Sequence, residues 1–454
     1  MKYKNDEFQK HLRVFEDRSE YFTDENSVEM FPEGVISIEA KKRVKNVRNA
    51  FENKFLDKLI IDISSGKESV DLSRISNDAL TSVNTLVDSL TSEVGRALIG
   101  LSVMQLCVKS IEPSQNIRLH KGSSNRASFS WVEGISMRTL DKQHVTPTLR
   151  KYDLLRLNAD GFMMTRSLAE NYPYTFLYKA YLRGAREQWL TLVEEVEKKN
   201  TSAIETLKYL LSRLINAASE FINTANILLD LAHKYLSINS DRKSISSVLR
   251  QHSENSDYAA RLLEINMHSL MQTASESGAF GAAEVKPLSQ MRSANKKHGN
   301  IGDIELLEDG QIIESWDAKY GKGYLREEIE EAVDKLQHHE FVDTIGFVSN
   351  VHIERTEEIS KRIFEIEQLY SISLKVLSYD DWVEMIFRRT LEVGTVSEEE
   401  FAQKWFITYC EYLSQKRRRN APIDEPCLGW INSLISIIKI VYNGHGGPPP
   451  QSKR

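Results

Sequence analysis

The chain has 454 residues, 41% apolar and 27% charged, which excludes a disordered or fibrous protein and is typical of two or three globular domains. Its net charge of −6 excludes a uniformly basic nucleic-acid-binding chain, so any DNA-binding surface must be local. No apolar run reaches the ~18–20 residues that span a bilayer, and the charged N-terminus lacks a signal peptide's apolar core. Three widely spaced cysteines indicate free thiols in a reducing compartment, so we expect a cytoplasmic protein without membrane association.

The first 250 residues are predicted to be mainly helical. Apolar residues recur at helical spacing over 203–236, and the stretches 76–111 and 166–199 are also compatible with long helices. One β-hairpin is predicted, with strands at 116–121 and 127–132 on either side of a Gly-Ser-Ser-Asn turn. The basic residues of this hairpin either face solvent or enter a DNA groove: Arg118, His120, Lys121 and Arg126.

From about residue 257 the pattern changes to alternating helices and strands. Helices are predicted at 258–272, 284–297, 324–339, 357–370 and 379–389, and strands at 301–307, 311–320, 341–348 and 373–377. This alternation favours a mixed sheet with helices on both faces. Two further helices are expected at 398–416 and 430–442, before a Gly- and Pro-rich end.

The predicted fold class is therefore α+β with an α/β core. We expect a mainly helical region at 1–250, the α/β core at 251–395 and a helical extension at 396–454.

The predicted hairpin at 301–320 carries charged side chains that could together form a metal-binding site. Because side chains alternate along a strand, Asp317 and Lys319 share one face, and Asp303 and Glu305 share a face of the other strand. If the two polar faces coincide, the carboxylates form an oxygen-rich site of the kind that Mg²⁺ prefers. A lysine beside such a metal can orient water or stabilise charge on a phosphate.

The opposite face of the second strand is predicted to be apolar, with Ile312, Trp316 and Ala318 on it. Glu314 is predicted to lie on the same face and is the one charged residue there. Either Glu314 forms an ion pair with a covering helix, or the register of the strand is shifted.

The turn decides whether the two polar faces coincide. A two-residue loop at Asp309-Gly310 sets residue 303 opposite 316, on the wrong side from Asp317. A three-residue loop with Gly310 at a left-handed bulge position sets 303 opposite 315, on the correct side. The site therefore requires the bulged turn or another one-residue irregularity.

This pattern resembles the PD-(D/E)xK nuclease superfamily, whose best-known members are type II restriction endonucleases. The resemblance covers about residues 257–392, in the order helix, motif-bearing hairpin, helix and strands. It implies that Asp303 is the first acid, Asp317 the second and Lys319 the lysine of the motif. It also implies that Asp303, Asp317 and the carbonyl of Ala318 hold Mg²⁺ while Lys319 assists the attacking water.

The sequence departs from the motif at Gly302, where the family's name has proline. The family often adds a glutamate from the preceding helix, for which Glu264 and Glu284 are both candidates, and Glu305 is a further possible acid. Four basic residues beside the motif are candidates for DNA contacts: Arg292, Lys296, Lys297 and Lys322. For the first three, which precede residue 302, the alternative is a solvated helix end.

The resemblance implies a type II restriction endonuclease that hydrolyses both strands of double-stranded DNA at a short specific sequence. A homodimer would match a palindromic site, the helical half would supply recognition, and a cognate DNA methyltransferase is implied as genetic partner. Two alternatives remain open. One is a repair or phage-related nuclease with little sequence specificity, and the other is a catalytically inactive DNA-binding protein with this fold.

Overall fold

The computed structural model describes residues 9–24, 26–91, 93–155, 171–178, 182, 184–288, 300–336, 339, 341–416 and 426–444. Contacts divide the chain into two compact units, Met1–Glu220 and Phe221–Arg454. Each unit combines helices with a β-sheet, which confirms the predicted α+β class. Within the described ranges, no helix is both long enough and apolar enough to cross a membrane.

The first unit begins with a three-stranded antiparallel sheet that the sequence did not indicate. Its strands are β1 (His11–Val14), β2 (Arg18–Asp24) and β3 (Ser27–Pro32). The helices that follow are α1 (Ile38–Glu52), α2 (Phe55–Ser64), α3 (Asn77–Asp88), α4 (Glu93–Ile111), α5 (Met137–Leu140), α6 (Thr146–Lys151), α7 (Arg186–Glu197) and α8 (Ala203–Leu236). The last of these, α8, contains the unit boundary, and its residues from Phe221 onward belong to the second unit. Short 3₁₀ turns lie at Leu72–Arg74 and Ser89–Thr91, and a π-helical turn at Asp141–Val145 joins α5 to α6.

The predicted helices at 76–111 and 203–236 are present as α3, α4 and α8. Of the stretch 166–199, only α7 is helical among the residues that the structure describes.

The hairpin predicted at 116–132 is wrong. These residues form loops joined by single bridges from His120 to Ile135 and from Trp131 to Glu33. Arg118 and His120 are 2% and 4% exposed, so neither can enter a DNA groove. The guanidinium of Arg118 turns inward because it pairs with buried Glu194 of α7, a contact that strand alternation does not reveal.

The second unit is built on a five-stranded sheet in the order β4-β5-β6-β7-β8. The strands are β4 (Glu284–Val285), β5 (Ile304–Glu308), β6 (Gln311–Lys319), β7 (Thr344–Ser349) and β8 (Ser373–Ser378). Strands β4 to β6 are antiparallel, whereas β6 to β8 are parallel. The helices are α9 (Arg242–Glu254), α10 (Ala259–Glu276), α11 (Arg326–Leu336), α12 (Glu357–Tyr370), α13 (Tyr379–Leu391), α14 (Glu398–Glu411), which continues as a π-helical turn (Tyr412–Lys416), and α15 (Cys427–Gly444).

Helices cover both faces of this sheet, as the alternation predicted. One face packs against α10 and α13, and the same core extends to α9, α14 and α15 and includes Trp316, Trp382 and Trp405. The other face packs against α11 and α12, in a core that includes Phe347 and Ile329. A polar residue on the sheet must therefore either find a partner under a helix or lie near a strand end.

The helix predicted at 284–297 is wrong over its described part. Glu284 and Val285 instead form β4, in antiparallel register with Leu307 and Leu306. The backbone N–H of Lys286 continues this pairing by donating to the carbonyl of Glu305 at 2.8 Å. Pairing with a long-range partner outweighs local helix propensity here.

The unit boundary lies about thirty residues before the predicted limit of 250. Residues 221–250 belong to the second unit because Val248 and Leu249 of α9 share a core with Trp405 and Trp430. The same core includes α14 and α15, so the C-terminal helices pack with the sheet-bearing unit instead of forming a separate extension.

Candidate active site

The hairpin of β5 and β6 contains the one-residue irregularity that the site requires. Its turn is the two-residue loop, because Glu308 pairs with Gln311 while Asp309 and Gly310 adopt positive φ values of 49° and 79°. The register then shifts, so that Leu307 lies opposite Ile312 but Leu306 lies opposite Glu314. The extra residue, at 313, is a β-bulge within the strand and not part of the turn.

The bulge decides which side chains of β6 share a face. Beyond it, Ile304 pairs with Trp316, so residue 303 stands across from Asp317. The prediction that Ile312, Trp316 and Ala318 share a face is wrong for Ile312, which packs on the α11 and α12 side.

Glu314 is explained by an ion pair under a helix, one of the two predicted possibilities. Its carboxylate lies 2.7 Å from Nη1 of Arg389 on α13 and accepts a hydrogen bond from the indole Nε1 of Trp316, also at 2.7 Å. Both contacts fix the strand after the bulge and so help to fix the position of Asp317.

The structure brings Asp303, Asp317 and Lys319 together. The carboxyl group of Asp317 lies close enough to that of Asp303 to raise its pKa. The backbone N–H of Ala318 donates to Oδ2 of Asp303 at 3.1 Å, and Nζ of Lys319 lies 2.9 Å from Oδ2 of Asp317. The side chains of Asp317 and Lys319 are 13% and 19% exposed, so the group is enclosed but reachable.

The electrostatics of this group are dominated by the two acids. Burial, followed by the neighbouring Asp317, holds the pKa of Asp303 well above its ordinary value, although Ala318 N–H and Lys319 act in the opposite direction. Burial lowers the pKa of Lys319, but the carboxylates of Asp317 and Asp303 raise it above its ordinary value. One ammonium thus faces two carboxyl groups that disfavour ionising together, and a further cation would relieve their repulsion.

A steric constraint favours glycine at position 302. A Cβ at this position would lie 2.6 Å from Oγ of Ser315 and 2.7 Å from the carbonyl oxygen of Trp316. The close approach lets the N–H of Asp303 donate to that same carbonyl at 3.0 Å. The missing side chain therefore allows the loop to press Asp303 against β6.

Glu305 has a structural role. It is 2% exposed and lies in an ion pair with Nζ of Lys286 at 2.6 Å. Its other oxygen accepts from the backbone N–H of Ile301 at 2.6 Å. These contacts occupy the carboxylate and anchor the loop that carries Asp303.

The two helix candidates for an extra acid do not join the aspartates in a cluster. Glu264 pairs with Arg261 on α10, and Glu284 is exposed on the edge strand β4, opposite Leu307 at the turn end of the hairpin. Within the part of the chain that the structure describes, no three His, Cys, Asp or Glu side chains are grouped so as to hold a metal ion. The described acidic site therefore consists of two aspartates.

Arg261 and Glu328 were not predicted as part of the site. Arg261 is 5% exposed; burial lowers its pKa to about 10, while the charge of Asp303 opposes this shift. Glu328, on the first turn of α11, contributes to the raised pKa of Lys319. No sequence pattern singles out Arg261, because Glu264 and His268 lie on the same face of α10.

Of the four residues predicted to contact DNA, the structure describes only Lys322. Lys322 is 56% exposed on its side chain and pairs with Glu328. Arg292, Lys296 and Lys297 lie outside the described residues.

No protein-family model matches this sequence, and no curated protein is similar enough to count as a match. The interpretation of the site therefore depends on its geometry.

Proposed function

We propose that this protein is a Mg²⁺-dependent DNA endonuclease whose active site consists of Asp303, Asp317 and Lys319. One observation carries the proposal: Asp303, directly before β5, lies across from Asp317 of β6, close enough for each carboxyl group to influence the other, and the Lys319 ammonium is 2.9 Å from Asp317. Carboxylates held this close repel each other unless a proton or a cation lies between them. A purely structural role would need only one aspartate paired with one lysine, because their charges cancel.

The donor set fits Mg²⁺. Asp303, Asp317 and the carbonyl of Ala318 would hold the ion, and all three supply the hard oxygen ligands that it prefers. Two carboxylates are sufficient, since Mg²⁺ commonly retains water molecules and binds phosphate oxygens of its substrate. When bound, the ion would activate water and neutralise charge on the scissile phosphate.

The protein's own residues position the reacting groups. The N–H of Ala318 orients Asp303, and Asp317 holds the Lys319 ammonium at the edge of the site. Because its pKa is raised, Lys319 is suited to orienting water or stabilising phosphate charge as a cation. Lys322, which is exposed nearby in sequence, is a candidate phosphate contact.

The more specific proposal is a type II restriction endonuclease of the cytoplasm that cuts both strands of double-stranded DNA at a short sequence. It follows from the resemblance of the motif and element order to that family. A homodimer acting on a palindromic site and a cognate DNA methyltransferase belong to the same proposal.

The test is cleavage of a long, unmethylated DNA, which offers many sequence contexts at once. Purified protein with Mg²⁺ is expected to cut it, whereas Asp303→Asn and Asp317→Asn should leave it intact. Asp309→Asn is the matched control, since this exposed aspartate lies on the same hairpin and should cut like wild type. Discrete fragments would support restriction, and a smear would favour a nuclease with little specificity. Cleavage by Asp317→Asn at the wild-type rate would refute the active-site assignment.

A further inference from the structure

The first helix of the first unit concentrates positive charge in a chain whose net charge is negative. Residues 38–58, which cover α1 and the start of α2, contain seven basic and three acidic side chains, whereas the whole chain has a net charge of −6. A local excess of this kind marks a candidate surface for a negatively charged partner.

Three of these basic side chains form a stripe on one face of α1. Lys41, Lys45 and Arg48 are spaced by four and three residues, so they lie one above another along the helix. All three are exposed, and none of them forms an ion pair with another residue that the structure describes. Arg43, by contrast, is neutralised by Glu133. Like charges at this spacing repel each other and destabilise a helix, and a bound polyanion would remove the repulsion.

The apolar face of α1 holds this basic stripe at the surface. Ala40 and Val47 are buried, and Lys41 and Arg48 directly follow them, turned away by one residue of the helical rotation. The stripe spans roughly 10 Å along the helix axis, because its ends are seven residues apart and each residue rises about 1.5 Å. One strand of DNA advances about 3.4 Å per phosphate, so the three cations match about three successive phosphates.

Lys54 extends the basic stripe beyond the end of α1. It lies between α1 and α2, is exposed and has a positive φ of 63°. Burial lowers the pKa of His144, and the charges of Lys54 and Arg48 act in the same direction against that of Glu52. Both cations therefore lie near the same imidazole ring, and the positive surface is continuous from α1 to Lys54.

The cavity beside Lys54 adds little negative charge to this surface. Its lining includes Lys54, Lys151 and one acid, Asp57. Asp57 accepts hydrogen bonds from Nζ of Lys151 at 2.7 Å and from the hydroxyl of Tyr152 at 3.2 Å, so Lys151 neutralises it. The charge of Lys54 reaches Asp57, but no described acid lies within ion-pair distance of its ammonium.

We propose that the basic stripe and Lys54 bind the phosphate backbone of double-stranded DNA. Phosphate contacts supply affinity and fix the position of a protein on the duplex without reading its sequence. The choice of DNA as the polyanion rests on the proposed function. An anionic membrane also presents phosphates, and the experiment separates it from DNA.

The test is the salt dependence of DNA binding without Mg²⁺, so that no cleavage is required. Fluorescence anisotropy with a labelled duplex of mixed sequence measures affinity over a range of salt concentrations. The triple variant Lys41→Gln, Lys45→Gln, Arg48→Gln should lower the slope of log K against log salt by about 2.7, because each phosphate contact contributes about 0.9. Glutamine has nearly the helix propensity of lysine and arginine, so α1 should remain folded. Lys54→Asn should lower the slope by about 0.9, and asparagine tolerates a positive φ.

The control removes the same charge from exposed positions of the second unit, through Lys234→Gln, Lys243→Gln and Lys361→Gln, and should keep the wild-type slope. An unchanged slope in the stripe variant, or an equal loss in the control, would overturn the inference. Stripe-dependent binding to phosphatidylserine vesicles without binding to duplex DNA would also overturn it and assign the stripe to a membrane. A protein that cuts DNA while its stripe variant keeps the wild-type slope loses only this surface. Stripe-dependent DNA binding without cleavage refutes only the proposed nuclease activity.

Discussion

Each unit contains a cluster of charged residues around a buried centre, and the clusters differ in their balance of positive and negative charges. In the first unit, Arg118 lies among Glu194, Glu197 and Glu29, and Lys109 and Lys198 pair with two of these acids. Three cations thus face three carboxylates. In the second unit, Lys319 faces both Asp303 and Asp317, while buried Arg261, which also senses Asp303, is already paired with Glu264.

The difference separates a structural cluster from a functional one. A balanced cluster satisfies its charges internally and needs nothing from outside, so its role is to fix the fold. An unbalanced pair of carboxylates raises the free energy of the folded protein until a cation arrives, and groups held in this way are typical of functional sites. Substitutions in the first cluster should therefore reduce stability, and substitutions in the second should reduce activity.

The largest effect is expected for Lys319→Ala, on the rate of DNA cleavage. Loss of a positioned charge or proton carrier lowers a rate by ~10²–10⁴-fold, while DNA affinity should change little. Lys319→Arg should rescue little of the rate because the guanidinium is larger and differently shaped. Single-turnover cleavage with enzyme in excess isolates this step. Lys361→Ala, an exposed lysine on α12, is the control. Normal cleavage by Lys319→Ala would make this lysine a structural counter-ion.

The next effect is expected for Arg118→Met, on stability. The substitution leaves Glu194 and Glu197 buried without their shared partner and should cost about 3–5 kcal/mol of unfolding free energy. Arg362→Met is the matched control, because Arg362 pairs with Glu330 at the surface and such pairs contribute below ~1 kcal/mol. Urea denaturation measures both. Similar small losses for the two variants would show that the first cluster does not stabilise the fold.

A smaller effect is expected for His252, on the pH dependence of stability. Its Nε2 donates to the carbonyl of Trp430 at 2.8 Å and its Nδ1 accepts from the hydroxyl of Tyr409 at 2.7 Å, while burial lowers its pKa to about 4. The unfolded chain takes up a proton below about pH 6.5, but the folded protein does so only below about 4. Stability should therefore fall by about 3 kcal/mol as the pH decreases through this window.

His252→Gln should remove this part of the pH dependence, and His233→Gln, at an exposed position of the same unit, should not. Denaturation at pH 7, 5.5 and 4 makes the comparison. The same slope in His252→Gln and wild type would show that His252 does not stay neutral in the fold.

Much of the second unit could be predicted from sequence because its signals are local. Alternation placed Asp317 and Lys319 on one face, and the Asp309-Gly310 pair located the turn. The position of the bulge at residue 313 could not be predicted, since both loop lengths suit Asp-Gly. It follows from tertiary contacts, chiefly Glu314 with Arg389.

The wrong predictions of secondary structure elsewhere in the chain also result from long-range contacts. The basic residues near 118–126 were predicted to lie on a hairpin that faces solvent or a DNA groove, yet Arg118 is buried by acids that lie about eighty residues away. The two-residue strand β4 is too short to show any alternation, and it exists because Leu306 and Leu307 pair with it. Long-range partners decided each of these elements.

The central claim is that Asp303 and Asp317 form a divalent cation site, and thermal unfolding with and without Mg²⁺ tests it most directly because no DNA sequence needs to be known. At a Mg²⁺ concentration near 100 times its Kd, wild type should gain about 2.7 kcal/mol, which is a rise of about 5–10 °C for a unit of this size. Asp309→Asn should show the same rise. Asp317→Asn should show none, and Asp303→Asn, relieved of its repulsion, should be more stable than wild type without metal. A wild-type protein that does not respond to Mg²⁺, or an Asp317→Asn variant that responds equally, would contradict the claim.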